Sequence, residues 1–134
     1  MEKKFTIILT DDDEDDRDFF RMAVDSSHTN YNLLLFQDGV ALKNYLSANP
    51  PVKPDVIFLD INMPLLNGFQ CLEFIREIYN PDEVPVVMYT TSRNQADREE
   101  SARLGANQYL VKPNDIKDLK IAVQQVIEKY KFSA

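Results

Sequence analysis

Short runs of Val, Ile, Leu, Phe, Met and Tyr recur along the chain at strand length: Phe5–Leu9, Leu33–Phe36, Val56–Leu59, Val86–Tyr89 and Tyr109–Val111. Within them apolarity is continuous rather than alternating, which predicts strands buried on both faces. Longer segments with helical spacing lie between them. Ile116, Leu119, Val123, Val126, Ile127 and Tyr130 form one stripe, with Lys and Gln elsewhere. Leu72, Ile75 and Ile78 or Tyr79 make a similar stripe in the middle, and Phe19, Phe20, Ala23 and Val24 another near the start. Punctuation agrees with these boundaries. Asn49-Pro50-Pro51 and Lys53-Pro54 close the second helical segment, Asn80-Pro81 closes the third, and Pro85 opens the fourth strand. Gly105 after Arg103-Leu104 predicts a left-handed helix cap, and Asn114-Asp115 a cap for the last helix.

Strands thus alternate with helices five times, which predicts an α/β domain: a parallel sheet covered by helices on both faces. Right-handed crossovers restrict the topology, and the common doubly wound order for five strands is 2-1-3-4-5, the flavodoxin-like arrangement. In that order the first and third strands are neighbours at the switch point, where ligands bind outside the carboxyl ends of the strands. Asp11 and Asp12 follow the first strand and Asp60 ends the third. The topology therefore predicts three carboxylates in one crevice.

Length and composition narrow the class. At 134 residues the chain is expected to be a single domain spanning residues 1–134, with no output domain. No apolar run approaches the roughly 20 residues of a membrane helix, and the N-terminal stretch is too short for a signal-peptide core. The single cysteine, Cys71, cannot form an internal disulfide, so a reducing, cytoplasmic compartment is expected. A net charge of −7 argues against nucleic acid as a partner. Much of that charge is local, in Asp11 to Asp16.

Three carboxylates in one crevice repel, each pair by about 4 kcal/mol at ~4 Å and an effective dielectric near 20. A hard divalent ion relieves this, and Mg²⁺ suits one or two carboxylates plus waters. Acids also favour the first turn of any helix, and Asp13, Glu14, Asp15 and Asp16 are read in that way. Asp60 is not, because a loop follows it. Thr90 and Lys112 end the fourth and fifth strands on the same sheet edge. Singly, Thr90 reads as a helix-capping hydroxyl and Lys112 as a solvated charge. Together with the acids they suit a phosphoryl group on a carboxylate, with Asp60 as nucleophile, Lys112 neutralising charge and Thr90 donating a hydrogen bond. Other chemistries lack parts. Gly39, Gly68 and Gly105 are too scattered for a phosphate loop, and His28, the only histidine, falls in Ser-Ser-His-Thr-Asn, a loop sequence. Cys71 reads as packing.

These residues resemble the receiver domain of two-component response regulators along essentially the whole chain. Carrying the resemblance are Asp11-Asp12, Asp60-Ile-Asn-Met-Pro64 with Gly68 four residues on, Thr90, and Lys112-Pro113. It implies that Asp60 accepts phosphate from a sensor histidine kinase or phosphotransfer protein. It also implies Mg²⁺ bound by Asp12 directly, by Asp11 largely through water, by Asp60, and by the backbone carbonyl of Asn62. Thr90 and Tyr109 become switch residues, and Lys112-Pro113 a cis peptide. The face of the fourth helix, fifth strand and fifth helix, including the polar segment Arg93–Arg103, would then control a downstream protein, or the domain would relay phosphate in a phosphorelay. The only catalysis implied is self-phosphorylation and self-dephosphorylation, in a monomer or a phosphorylation-dependent dimer without membrane attachment.

Departures from the family pattern are a longer stretch between Asp12 and Asp60, with the excess at Ser26–Asn32 or Ser47–Pro54, and Thr91 where a smaller residue is usual. Asn62 and Ser92 stand where dephosphorylation is tuned. A rival reading is a Mg²⁺-dependent phosphohydrolase with an aspartyl-phosphate intermediate. Such enzymes place a second acid two residues after the nucleophile, where this chain has Asn62.

Overall fold

A computed structural model describes residues 4–26, 30–50 and 52–131. Ten elements alternate along it: β1 (Phe5–Thr10), α1 (Glu14–Asp25), β2 (Tyr31–Phe36), α2 (Gly39–Ser47), β3 (Val56–Leu59), α3 (Gly68–Ile78), β4 (Val86–Thr90), α4 (Gln95–Arg103), β5 (Gln108–Val111) and α5 (Ile116–Lys131). The strands form one parallel sheet in the order β2-β1-β3-β4-β5, the doubly wound arrangement expected from the alternation.

Successive strand residues point to opposite faces, so a continuous apolar run feeds two cores at once. Ile7, Leu9, Val56, Phe58, Val87 and Tyr89 face α1 and α5, meeting Phe20, Ala23, Val24, Leu119, Val123, Val126 and Ile127. Ile8, Ile57, Leu59, Val86 and Met88 face the other side, against Leu42 and Leu46 of α2 and Cys71, Leu72 and Ile75 of α3. On the first face Phe20 lies edge-on to Phe58 at 4.8 Å and to Tyr89 at 5.6 Å between centroids. Each fully buried large side chain contributes about 1.5–3 kcal/mol relative to exposure. Among the described residues no helix is long and apolar enough to cross a membrane.

Burial on both faces holds for β1, β3 and β4 but not for β2 and β5. Those two are the sheet edges, with one neighbour each, and most of their residues are half-buried. The stripe on α1 is also narrower than its composition suggests. Phe20 is fully buried whereas Phe19, one helical step of about 100° away, is 49% exposed. Ile78 is exposed too, and Tyr79 is the cap residue ending α3.

The helix ends follow their local sequence. Asp13 caps α1 by accepting from the Asp16 amide at 3.0 Å, and Asn67 and Gln70 form a reciprocal capping box on α3. Asp115 accepts from the Asp118 amide at 2.8 Å at the start of α5. Gly105 has φ +99°, the left-handed conformation expected after α4. Arg76, at the end of α3, donates to the carbonyls of Gly105, Tyr79 and Val84 and to Asn107 Oδ1, tying α3 to the loops around β4 and β5. Helix α4 differs from the others: its only buried residue is Ser101.

Candidate functional site

Parallel pairing extends beyond the strand ends and sets the site. The Asp60 amide donates to the Thr10 carbonyl at 3.1 Å, the Asp11 amide to the Phe36 carbonyl at 3.1 Å, and the Lys112 amide to the Thr90 carbonyl at 2.8 Å. Asp11, Asp60, Thr90 and Lys112 thus emerge along one sheet edge, with Asp11 beside Asp60 at the switch between β1 and β3. Gly68, the first residue of α3, closes in behind Asp60 and donates its amide to the Ile61 carbonyl at 2.8 Å. A Cβ there would lie 2.3 Å from the Asp60 carbonyl oxygen. Only glycine permits this approach of α3 to the end of β3.

Carboxylate oxygens of Asp11, Asp12 and Asp60 lie within 4.8 Å of one another. Two ligand oxygens on opposite sides of Mg²⁺ stand ~4.2 Å apart, so the cluster needs to contract only slightly to hold such an ion. Asp11 is fully buried. Its Oδ1 accepts from the Asp13 amide at 3.0 Å, while its Oδ2 is held only by the Lys112 ammonium, 2.7 Å away. A buried carboxylate oxygen whose only partner is an ammonium marks a position suited to positive charge. Asp12 is exposed and Asp60 is buried, at 6% exposure. The donor set, all hard oxygen, suits Mg²⁺ or a similar ion.

Lys112 sits among these acids. Its Nζ is 2.7 Å from Asp11 Oδ2, 2.7 Å from Asp16 Oδ2 and 3.2 Å from Asp60 Oδ2, and 5.3 Å from the Tyr89 ring centroid. Its side chain is 8% exposed. Burial works against the ammonium, but contacts with Asp11 and Asp16 and the charge of Asp60 outweigh it, so its pKa lies above the ordinary lysine value. Burial likewise pushes the Asp11 carboxyl up to about 6, with Lys112 pulling the other way. The lysine is therefore no solvated surface charge.

The four acids after Asp12 divide differently from the sequence expectation. Asp13 caps α1, and Glu14 and Asp15 stand exposed in its first turn, as helix-starting acids do. Asp16 instead turns inward to Lys112, a partner 96 positions away. Sequence reasoning missed it because its position in the turn is indistinguishable from that of its neighbours.

Thr90 is fully buried, and its Oγ1 accepts from the Ser92 amide at 3.3 Å. This bond lies within the loop after β4 and caps no helix; α4 is capped by Asn94 instead. Thr91 is exposed, and Ser92 Oγ donates to Asp97 Oδ2 at 2.6 Å. Tyr109 is turned toward α4: its hydroxyl donates to the Ser92 carbonyl at 2.9 Å, and the Arg98 guanidinium lies 4.6 Å from its ring centroid. Asn62 is exposed in the loop between β3 and α3. The Lys112–Pro113 peptide is trans, contrary to the expectation of a cis bond. The trans form of an X–Pro bond is favoured by about 0.5–1 kcal/mol, and with it Lys112 already reaches Asp11, Asp16 and Asp60. His28 and Pro51 lie outside the described residues. Cys71 is buried against α2, and burial pushes its thiol up to about 12, the property of a packing residue.

Known proteins resemble this chain in sequence and fold. Residues 7–124 match the family described as the response regulator receiver domain. Response regulator Rcp1 of Synechocystis is 34% identical over 127 residues, covering 90% of this chain and 84% of its own. Protein PilH of Pseudomonas aeruginosa is 37% identical over 90 residues, 67% of this chain and 69% of its own. The crystal structure of the Mn²⁺-bound form of Rcp1 superposes with a TM-score of 0.82 at 31% identity, over 96% of both chains. That of the phosphorylated cyanobacterial phytochrome response regulator RcpA gives 0.86 at 28%, over 98% of this chain and 97% of the other. With acids and lysine gathered at the switch point of a 2-1-3-4-5 sheet and a buried threonine on the same edge, the chain belongs to the response regulator receiver domains, the phosphoacceptor modules of two-component signalling.

Proposed function

We propose that Asp60 is the phosphoacceptor, and that its phosphorylation reorganises the face of α4, β5 and α5 to control a partner protein or pass phosphate onward. The observation that carries this reading is the placement of the Asp60 carboxylate, its side chain 8% exposed, beside Asp11 and 3.2 Å from Lys112. Asp60 attacks the phosphorus of a phosphohistidine on a sensor kinase or phosphotransfer protein. An O–P bond forms as the P–N bond breaks, and the leaving imidazole takes up a proton. Asp11, Asp12, Asp60 and the Asn62 carbonyl would hold Mg²⁺. When bound, that ion neutralises the carboxylates and the charge developing on the transferred group. Two relatives support these assignments by what their structures contain, Mn²⁺ in Rcp1 and a phosphoryl group in RcpA.

Lys112 supplies a fixed positive charge to the phosphoryl oxygens. Thr90 exchanges its bond from the Ser92 amide for one to the phosphoryl group, and Tyr109 leaves Ser92 and Arg98 to turn inward. Helix α4 suits such a rearrangement. It buries only Ser101, and polar contacts such as Ser92 Oγ to Asp97 Oδ2 at 2.6 Å tie it to the loop after β4. A phosphoryl group adds roughly −1.5 to −2 charge at pH 7, enough to bias a two-state element that binds it unequally. The chemistry of this reading is the gain of one phosphoryl group from the phosphodonor and its later loss to water. The rival phosphohydrolase is not favoured: where such enzymes carry their second acid, this chain has the exposed Asn62.

Incubation with Mg²⁺ and a small acyl-phosphate donor is expected to add one phosphoryl mass, and Asp60→Asn to abolish it. Undiminished labelling of the variant would assign the nucleophile elsewhere. Turnover of a generic phosphatase substrate well above the rate of self-hydrolysis would restore the rival.

A further inference from the structure

The carboxylates available to a divalent cation are also those occupied by Lys112. Its Nζ contacts Asp11 Oδ2 at 2.7 Å and Asp60 Oδ2 at 3.2 Å, two of the three groups clustered within 4.8 Å. An ammonium and a doubly charged ion cannot share these oxygens without strong repulsion. Lys112 must therefore loosen its hold on Asp11 and Asp60 as the cation enters. Release to bulk solvent is disfavoured, because the side chain is 8% exposed and runs across the Tyr89 ring.

Asp16 offers another place. Its Oδ2 is 2.7 Å from the ammonium, it is outside the three-carboxylate cluster, and its side chain is 32% exposed. The first turn of α1 fixes it through the bond from its amide to the Asp13 cap. A cavity of about 70 Å³ lined by Asp16, Phe19, Tyr89, Lys112 and Pro113 opens beside the pair, giving the ammonium room to shift outward.

From this we infer that Asp16 is a positioning residue for Lys112: it takes over the ammonium when a divalent cation claims Asp11 and Asp60, so that cation and lysine are held at the site together. The inference rests on Asp11, Asp12 and Asp60 being the cation's carboxylates. Asp16 acts through Lys112 and touches neither cation nor phosphoryl group. Its absence leaves the lysine with no partner except the oxygens the cation needs. Competition then rises and the cation binds more weakly.

The test is a calorimetric titration of Mg²⁺ alone into the full chain, with melting temperatures recorded alongside. Asp16→Asn is expected to weaken Mg²⁺ binding about tenfold at little change in melting temperature, and Asp16→Glu to restore most of it. Lys112→Gln is expected to tighten binding by removing the competitor. In the Lys112→Gln background Asp16→Asn is expected to change affinity less than about twofold, since only through-space charge remains. Equal weakening in both backgrounds would overturn the inference, reducing Asp16 to a distant negative charge. So would no weakening by Asp16→Asn, or no tightening by Lys112→Gln. If Asp16→Asn melts early, the Lys112→Gln and Asp16→Glu arms still decide. Failure of the underlying reading has a separate signature: Asp12→Ala would leave Mg²⁺ affinity intact.

Discussion

Replacing Gly68 by alanine drives a methyl group into the strand end that carries Asp60. The added Cβ would stand 2.3 Å from the Asp60 carbonyl oxygen, 2.7 Å from Ile61 Cα and 2.9 Å from the Asp60 carbonyl carbon. Carbon prefers contacts of about 3.5–4.0 Å, and the atoms in the way are backbone, so no side chain can swing aside. Helix α3 must retreat by roughly 1 Å, or Asp60 must move. Either way the bond from the Gly68 amide to the Ile61 carbonyl, 2.8 Å long, is strained or lost. Overpacking of this kind costs about 1–3 kcal/mol and the hydrogen bond about 1 kcal/mol. Alanine's better helix propensity returns at most ~1 kcal/mol. A net loss of about 1–3 kcal/mol follows, equivalent to a melting temperature lower by roughly 4–11 °C for a domain of this size. Urea unfolding followed by circular dichroism should show a lower midpoint at unchanged slope. Displacement of Asp60 by a comparable distance should slow labelling from an acyl-phosphate donor by up to about 100-fold at saturating Mg²⁺. A Gly68→Ala protein within about 0.5 kcal/mol of the parent, labelled at the parental rate, would refute the claim that this contact sets the position of the acceptor.

Two further expectations concern charge and the switch. Burial raises the Asp11 carboxyl from 3.8 to about 6, so the folded cation-free protein holds a proton there more tightly than the unfolded chain does. Asp11's contribution to stability therefore increases as pH falls from about 6 to 3.8, while Mg²⁺, which needs the ionised form, binds up to about tenfold more weakly per pH unit below about 6 and evenly above it. Calorimetric Mg²⁺ titrations across that range check the sign, and an affinity that rose on acidification would contradict it. Arg98→Ala removes a stacking contact on Tyr109 worth about 0.5–1 kcal/mol, so the population with Tyr109 turned inward should rise about two- to fivefold. Tyrosine ring resonances report this, and unchanged shifts would mean that Arg98 does not hold the outward state.

Much of the architecture could be read from local pattern. A continuous apolar run of four to six residues can bury both faces only inside a sheet, and regular alternation with helices makes the sheet parallel. Once the strand order follows, residues at strand ends share one edge. That is why Asp11, Asp12, Asp60, Thr90 and Lys112 can be grouped from the sequence alone. Helix caps at Asp115 and Gly105 were legible for the same reason, since capping depends on neighbours a few positions away.

What the sequence alone determined is thus the order of elements and the edge where polar strand ends gather, both consequences of backbone periodicity. Tertiary structure decided the rest, because side-chain reach across elements leaves no periodic trace. It separated buried Phe20 from exposed Phe19, made β2 and β5 half-open edges, and left the Lys112–Pro113 bond trans. It also took one acid from a run of six and set it against a lysine from the far end of the sheet. Asp16 and Lys112 meet only because α1 packs beside the end of β5, where burial of the ammonium selects whichever carboxylates lie within about 3 Å.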